Sequence, residues 1–495
     1  MSNVDTVGDP GLVVAVLSTE EGVRFETKRV SGKMVHKALE TVCAFANTEG
    51  GVLALGVEDA DKAVGTARLF GIEENPVALD ELTRKLTTQL TPPIDGIRFV
   101  KVACSLRDGQ AGRLVLVRVP KSPMVHSVVE GGTWRRMGKS NRQMSATEIA
   151  TLSFSRGLVS AESALVDVPL ELLDTETWRL YCASRALRSG DIADRLFRLG
   201  LAKQRDGQLL PTRAAVLLFA DDPSGVLAAK AAIRVFHYTG NRVEHGPLPN
   251  LRKTPKTITG PLIRQVADAY AFVAGEIAQG LTLAASGFET VHRYPARVIR
   301  EAITNAVIHR DYSLAKDIQV RIFDNRIEVE SPGVLPGNIT SATIERAGSF
   351  SRNPLIAANL REFPEPPNID AGEGVRMMFA TMRAVGLYPP LYMSRPALDR
   401  DAVLVMLLNE ERPAIWEQVS DWIERHGSIN NRTLCRIAEV DTLRASKMLK
   451  RWVEQGLLVM DTSHGKQKTL YRKPDGGEAA ALFSLSGDAD NDREG

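Results

Sequence analysis

Residues 21–59 read EGVRFETKRVSGKMVHKALETVCAFANTEGGVLALGVED, and three elements follow from the spacing of their apolar positions. In Val23–Lys28 the residues alternate: Val23, Phe25 and Thr27 point one way, and Arg24, Glu26 and Lys28 the other. That is the period of a half-buried strand with a charged face. Val35, Leu39, Val42, Cys43 and Ala46 recur at steps of three and four, which predicts a helix that Asn47-Thr48-Glu49-Gly50-Gly51 stops. Val52–Val57 is apolar enough for a central strand, and it runs into Glu58-Asp59.

The acidic residues of this stretch admit two readings. Metal-assisted phosphodiester cleavage needs carboxylate oxygens converging on Mg²⁺ or Mn²⁺, with a lysine nearby to neutralise charge on the phosphate. Glu21 and Glu26 flank one strand, Asp59 ends another, and Lys28 shares a face with Glu26. Spacing alone favours ordinary surface charge. The pattern E-x-x-x-x-E-x-K, then A-F-A-N-T-x-G-G and G-V-x-D, resembles the AlbA_2 domain of the Schlafen family. It is carried by Glu21, Glu26, Lys28, Ala44–Thr48, Gly50-Gly51, Gly56-Val57 and Asp59. The resemblance implies a metal site on Glu21, Glu26 and Asp59, with Lys28 beside it. Gly22 stands where the family usually has Ser. Nuclease members pair two such lobes and this chain shows one, so a homodimer is expected.

The composition bounds the rest. At 495 residues the chain has room for three or four domains, and its 44% hydrophobic and 25% charged residues are those of an ordinary soluble protein. A net charge of +2 confines any nucleic-acid surface to local patches. The four cysteines are scattered with no C-x-x-C pair, which argues against zinc and disulfides and suits a cytoplasmic protein. No run approaches membrane-spanning length, so no membrane partner is expected. Cys43, on an apolar helix face, reads as core.

Beyond Asp59 the pattern gives a helix over 77–89, strands over 97–103 and 113–120, and then the basic segment Gly132–Arg142. There Arg135, Arg136 and Lys139 are candidates for phosphate contact, and Trp134 either stacks a base or covers the sheet edge. Residues 151–290 read as an α/β connector, with helices over 175–188, 191–199 and 262–277 and apolar strands at 214–219 and 234–238. His237 and His245 have no partner at ligand spacing.

The second informative stretch is Tyr294–Pro336. Pro295 opens a helix on which Glu301, Asn305 and His309 share one face while Val298, Ile299, Ala302, Ile303, Ala306 and Val307 make the other. A polar stripe on such a helix must meet water, a ligand or a network. A hairpin over 318–330 follows, and Gly372-Glu373-Gly374 opens another apolar helix, placed to present N–H groups to a phosphate. These residues, with Asn305–Tyr312 and Arg352-Asn353-Pro354, resemble a divergent ATP-binding fold of the histidine-kinase/gyrase/MutL type. The resemblance implies that Glu301 activates water, that Asn305 holds Mg²⁺, and that His309, Arg310, Asp311, Gly333, Gly372 and Gly374 belong to the nucleotide site. The D-x-G-x-G motif is missing, with Ser331-Pro332-Gly333 near its place, so ATP binding is implied without hydrolysis. A degenerate scaffold is the alternative.

The last domain reads as a winged helix: helices over 415–425, 432–438 and 442–455, and strands over 457–460 and 469–472. Thr442, Arg444, Lys447 and Lys450 on the third helix and Lys466 on the wing are candidates for nucleic-acid contact. The acidic, Gly-rich tail reads as disordered. The expected architecture is therefore α+β multidomain: an AlbA_2-like domain over 1–150, the connector over 151–290, the ATP-binding-like domain over 291–410, the winged helix over 411–475 and a tail over 476–495. Two functions follow from it. One is a Schlafen-like, Mg²⁺- or Mn²⁺-dependent nuclease on RNA or DNA, controlled by ATP and acting in defence or stress response. The other is an ATP-responsive transcription regulator without nuclease activity.

Overall fold

The computed structural model describes residues 6–474, except 8–9, 32–33, 157–159, 188, 245, 247–248, 279–280, 285–286, 291–292, 349, 368–372, 396 and 462–468. His245, Gly372, Lys466 and the tail therefore lie outside the described residues. The chain divides into two units: Met1–Ser153 with Pro413–Gly495, and Phe154–Arg412.

In the first unit a five-stranded sheet runs in the order Thr6–Val7, Arg98–Ser105, Ala111–Val119, Gly51–Leu55, Phe25–Lys28. Phe25–Lys28 and Gly51–Leu55 are parallel, Glu26 standing opposite Leu53. Helix Met34–Asn47 makes the crossover that a parallel pair requires. One face of the sheet packs on this helix and on Pro76–Thr88, through Leu39, Val42, Leu53, Leu82 and Val117. The other face packs on helix Pro10–Ser18, through Leu12, Val16, Phe25 and Leu116. The paired glycines are needed where the crossover closes: a Cβ on Gly51 would stand 2.6 Å from the Arg24 carbonyl, and Gly50 holds φ +70° against the Lys121 backbone.

The charged face expected on Phe25–Lys28 is not a solvent face. Phe25, Glu26 and Thr27 are all buried: Phe25 packs in the core with Leu12 and Val16, and Glu26 is covered by Arg136 of the antiparallel hairpin Trp134–Met137/Ser140–Gln143. Asn47 fastens that cover. Its amide nitrogen donates to the His126 carbonyl at 2.7 Å and the Trp134 carbonyl at 2.9 Å, and its oxygen accepts from the His126 N–H at 2.8 Å.

The second unit is built on a six-stranded sheet in the order Lys256–Ile258, Ile233–His237, Ile318–Ile322, Arg326–Pro332, Ala402–Leu408, Leu391–Met393. The sequence reading divides the chain near residue 290, yet Ile233–His237 pairs in parallel with Ile318–Ile322, so the sheet continues across that position. Helices Leu262–Ala278, Ala296–Ile308 and Gly374–Ala384 share its core through Val266, Val298, Ile303, Val320, Met378 and Val405. Residues 214–219, expected as a strand, are a helix spanning Arg213–Phe219. An all-apolar run has no period to tell strand from buried helix. The deciding residue is Thr212, whose hydroxyl caps the helix by accepting from the Ala215 N–H.

At the C-terminal end, helices Ile415–His426, Asn431–Ala438 and Thr442–Glu454 bury Trp416, Leu434, Leu449 and Trp452. Asn430 and Asp441 cap the second and third of these helices. Strands Val459–Asp461 and Leu470–Arg472 pair antiparallel behind them. No helix among the described residues is long and apolar enough to cross a membrane.

Replacing Asn47 by Ala removes a partner from the His126 N–H and carbonyl and from the part-buried Trp134 carbonyl; the His126 carbonyl keeps another donor, the Cys43 thiol. The expected loss is on the order of 3 kcal/mol, read as a lower urea midpoint with an unchanged slope.

Candidate functional site

The four residues at the first candidate site are each engaged by protein groups. The Glu21 carboxylate accepts from the Thr27 N–H at 2.8 Å and from its hydroxyl. The buried Arg68 guanidinium reaches the same hydroxyl at 3.3 Å. Glu26, 7% exposed, is paired by Arg136 through one oxygen and by Lys28 through the other. Asp59 lies in the turn after its strand and accepts the Asp61 N–H. Among the described residues no three His, Cys, Asp or Glu side chains stand together as a metal site.

The basic segment divides in the same way. Arg136, read as a phosphate contact, points inward: it is 2% exposed and donates to the Gly22 carbonyl, to Asn141 and to Glu26. Trp134 lies half-buried against the core and gives its indole N–H to the Gly131 carbonyl, so it covers the sheet. Lys139 at the hairpin tip and Arg142 beside it are exposed. Arg135 and Arg142 both reach Glu148, whose carboxyl is held down to about 2 by the Ser145 backbone N–H first and then by Arg142. The Cys43 thiol is core, and burial pushes it up to about 11.

The second site is a cavity of about 620 Å³ in the unit Phe154–Arg412. The polar stripe of helix Ala296–Ile308 forms one wall: Glu301, Asn305 and His309 line it, with Arg297 and Arg300. Leu335, Ile344, Phe350, Val403 and Val405 supply the apolar walls, and Gly374 opens the facing helix. Glu301 accepts from the Asn305 amide at 2.9 Å. Burial pushes its carboxyl above the ordinary range, opposed by that hydrogen bond and by Arg297. Gly374 lies close to the Glu301 carboxylate: a Cβ there would stand 1.8 Å from it, so a larger residue would displace the carboxylate.

Arg310, Asp311 and Gly333 do not line this cavity; they build the corner that ends its helix. Arg310, 1% exposed, donates to the Lys230 and Lys316 carbonyls. Asp311 holds the Ser313 N–H and hydroxyl. Arg352 donates to the His309 carbonyl, and Asn353 to the Ile308 and Arg310 carbonyls, which satisfies the helix's last acceptors. Gly333, at φ +103°, lets Arg352 pass, since a Cβ there would meet its Nη1 at 2.2 Å. Ser331, in place of the missing acidic motif, donates to the Ala306 carbonyl.

Residues 21–145 match the family model Schlafen, AlbA_2. This segment is similar to Schlafen-type AlbA_2 domains. Residues 315–405 match HATPase_c_4, described as ATP-dependent DNA helicase recG C-terminal, a span that begins just after the helix carrying Glu301. The chain is also similar to the crystal structure of the DIP2311 protein from Corynebacterium diphtheriae, with 18% identity over 95% of this chain and 97% of that one and a TM-score of 0.39. No curated protein matches it.

The donors of the AlbA_2 domain do not fit a divalent cation in this arrangement. Both oxygens of Glu26 face cations of the protein, and Glu21 is turned to Thr27. In the second unit, Asn305 has an oxygen to offer Mg²⁺, and Glu301 adjoins it. On the C-terminal helix Thr442–Glu454, Thr442, Arg444, Lys447 and Lys450 are all exposed, while Ala445, Leu449 and Trp452 are buried. His237, read as having no partner at ligand spacing, is a structural histidine paired with Glu276 at 2.8 Å, and Glu276 pairs with Lys253 at 2.9 Å. The pairing of Glu26 with Arg136 and the apolar walls over 335–350 have no signal in local spacing. Asn47 and Thr48 did carry one, as part of the A-F-A-N-T motif.

Burial and the nearby Arg352 push the His309 imidazole down from 6.5 to about 4. The unfolded chain therefore takes up a proton that the folded protein refuses, and stability falls as the pH drops from 6.5 towards 4. Each unit of pKa difference is worth about 1.4 kcal/mol. Urea melts of the wild type and His309→Leu across this range check it: the gap between them narrows towards acid.

Proposed function

We propose that the chain is a nucleic-acid-binding protein whose grip is set by a nucleotide held in the 620 Å³ cavity, and that it works as a DNA-binding regulator without nuclease activity. The cavity is the observation that carries this reading. It sets a polar edge of Glu301, Asn305 and His309 against apolar walls, the mixture that binds a charged, ring-bearing ligand. It also overlaps the segment that matches the recG-type HATPase model. ATP, with Mg²⁺ at Asn305, is the ligand proposed. Glu301 and Gly374 adjoin its phosphates.

The AlbA_2 match supports the nucleic-acid half of the reading. The C-terminal helices and ribbon are taken as a winged helix that lays Thr442, Arg444, Lys447 and Lys450 on a duplex. A homodimer supplies the second AlbA_2 lobe, and four free thiols suit the cytoplasm. The metal-dependent nuclease rests on Glu21, Glu26 and Asp59 all being carboxylates. The ion pairs on Glu26 count against it.

Fluorescence anisotropy with labelled duplex DNA and labelled RNA, with and without ATP, tests the reading. Binding is expected to be steep in salt, and ATP to shift the affinity about fivefold or more. Lys447→Ala weakens binding and lowers the salt slope by about one. Mn²⁺-dependent cleavage of either probe that Asp59→Asn removes restores the nuclease.

A further inference from the structure

The strongest unexplained feature is a carboxylate at a position where the family places a metal ligand, buried against an arginine 110 residues further along the chain. A buried ion pair is weak evidence for stability, because desolvation offsets much of the attraction. What such a pair does well is fix a geometry. Here it fixes the hairpin Trp134–Met137/Ser140–Gln143. Arg136 lies in the first strand of that hairpin. Its guanidinium is held by Glu26, by the Gly22 carbonyl at 2.8 Å and by Asn141 at 2.9 Å, and its N–H by the Thr48 hydroxyl at 2.9 Å. Asn141, on the second strand, donates to the Thr41 hydroxyl at 2.8 Å. The hairpin is thus pinned by its first strand to Gly22, Glu26 and Thr48 and by its second strand to Thr41 on helix Met34–Asn47. Its tip, where Gly138 turns at φ +57°, carries the exposed Lys139. Arg135 and Arg142 flank the tip, and Lys37 stands one helical turn from Thr41.

We propose that Glu26 is a positioning residue for nucleic-acid binding: as the counter-ion of Arg136 it holds this hairpin so that Lys139, Arg135 and Arg142 meet a phosphate backbone, and it does not act as a metal ligand. The inference rests on the nucleic-acid reading above and assigns it a surface. Glu148, which draws Arg135 and Arg142 together in the free protein, is the anion that a phosphate replaces.

The test uses the full chain, a labelled 25-base-pair DNA duplex and a labelled RNA strand of about equal length. Lys139→Ala is expected to weaken binding about threefold and to lower the salt slope by about one. Glu26→Gln is expected to weaken it about tenfold, and Glu26→Gln with Lys139→Ala no further, because the first change already misplaces the second residue. Calorimetric titration of the wild type with MnCl₂ is expected to show no uptake that Asp59→Asn removes, a readout that does not depend on how Glu26→Gln folds. Three results overturn the proposal alone: wild-type affinity in a folded Glu26→Gln, full additivity of the two changes, or Mn²⁺ uptake lost in Asp59→Asn. Failure of the wild type to bind either probe overturns the nucleic-acid reading, and this surface with it.

Discussion

A guanidinium taken out of water must find a counter-charge and acceptors for its N–H groups, and in the AlbA_2 domain that demand organises the end of the sheet. Arg136 meets it with one carboxylate, two carbonyls and one amide oxygen. Those partners come from the start of the Phe25–Lys28 strand and from the hairpin itself. None of them can move alone. The crossover helix, the Gly50-Gly51 closure and the Asn47 clamp all bring backbone to where this pair needs it.

The same logic governs the second unit at a different scale. Helix Ala296–Ile308 carries polar groups on one face, and they are tolerated because that face borders a cavity. Its C-terminal carbonyls are answered by Arg352 and Asn353. A cation at that end also suits the helix dipole. Arg310, Asp311 and Gly333 are therefore understood as the masonry of a corner, and the residues that face a ligand are Glu301, Asn305, His309 and Gly374.

Much of this was legible in the sequence where the physics is local. The period of three and four gave the crossover helix and the helix after Pro295. Alternation gave the hairpin over 318–330. Local reasoning failed where partners are distant or where a pattern has no period. Glu26 sits on an alternating strand whose spacing alone reads as surface charge; its cover arrives more than a hundred residues later. Residues 214–219 are uniformly apolar, and a single hydroxyl at Thr212 decides their form. A motif names residues that matter to a fold. Whether Arg310 faces a ligand or a carbonyl is a tertiary fact.

The corner at Arg352 also bears on how the cavity is covered. Its guanidinium holds the Val334 carbonyl as well as the His309 carbonyl, so the stretch that carries Leu335, Ile339, Ile344 and Phe350 over the cavity is clasped at its base. The entropy of bringing the two ends of that loop together is met when the protein folds. A ligand entering beneath it has only the torsions inside the loop left to order, which lowers the conformational penalty of binding. The covering strap is in effect a closed ring, tethered before anything arrives for it to hold.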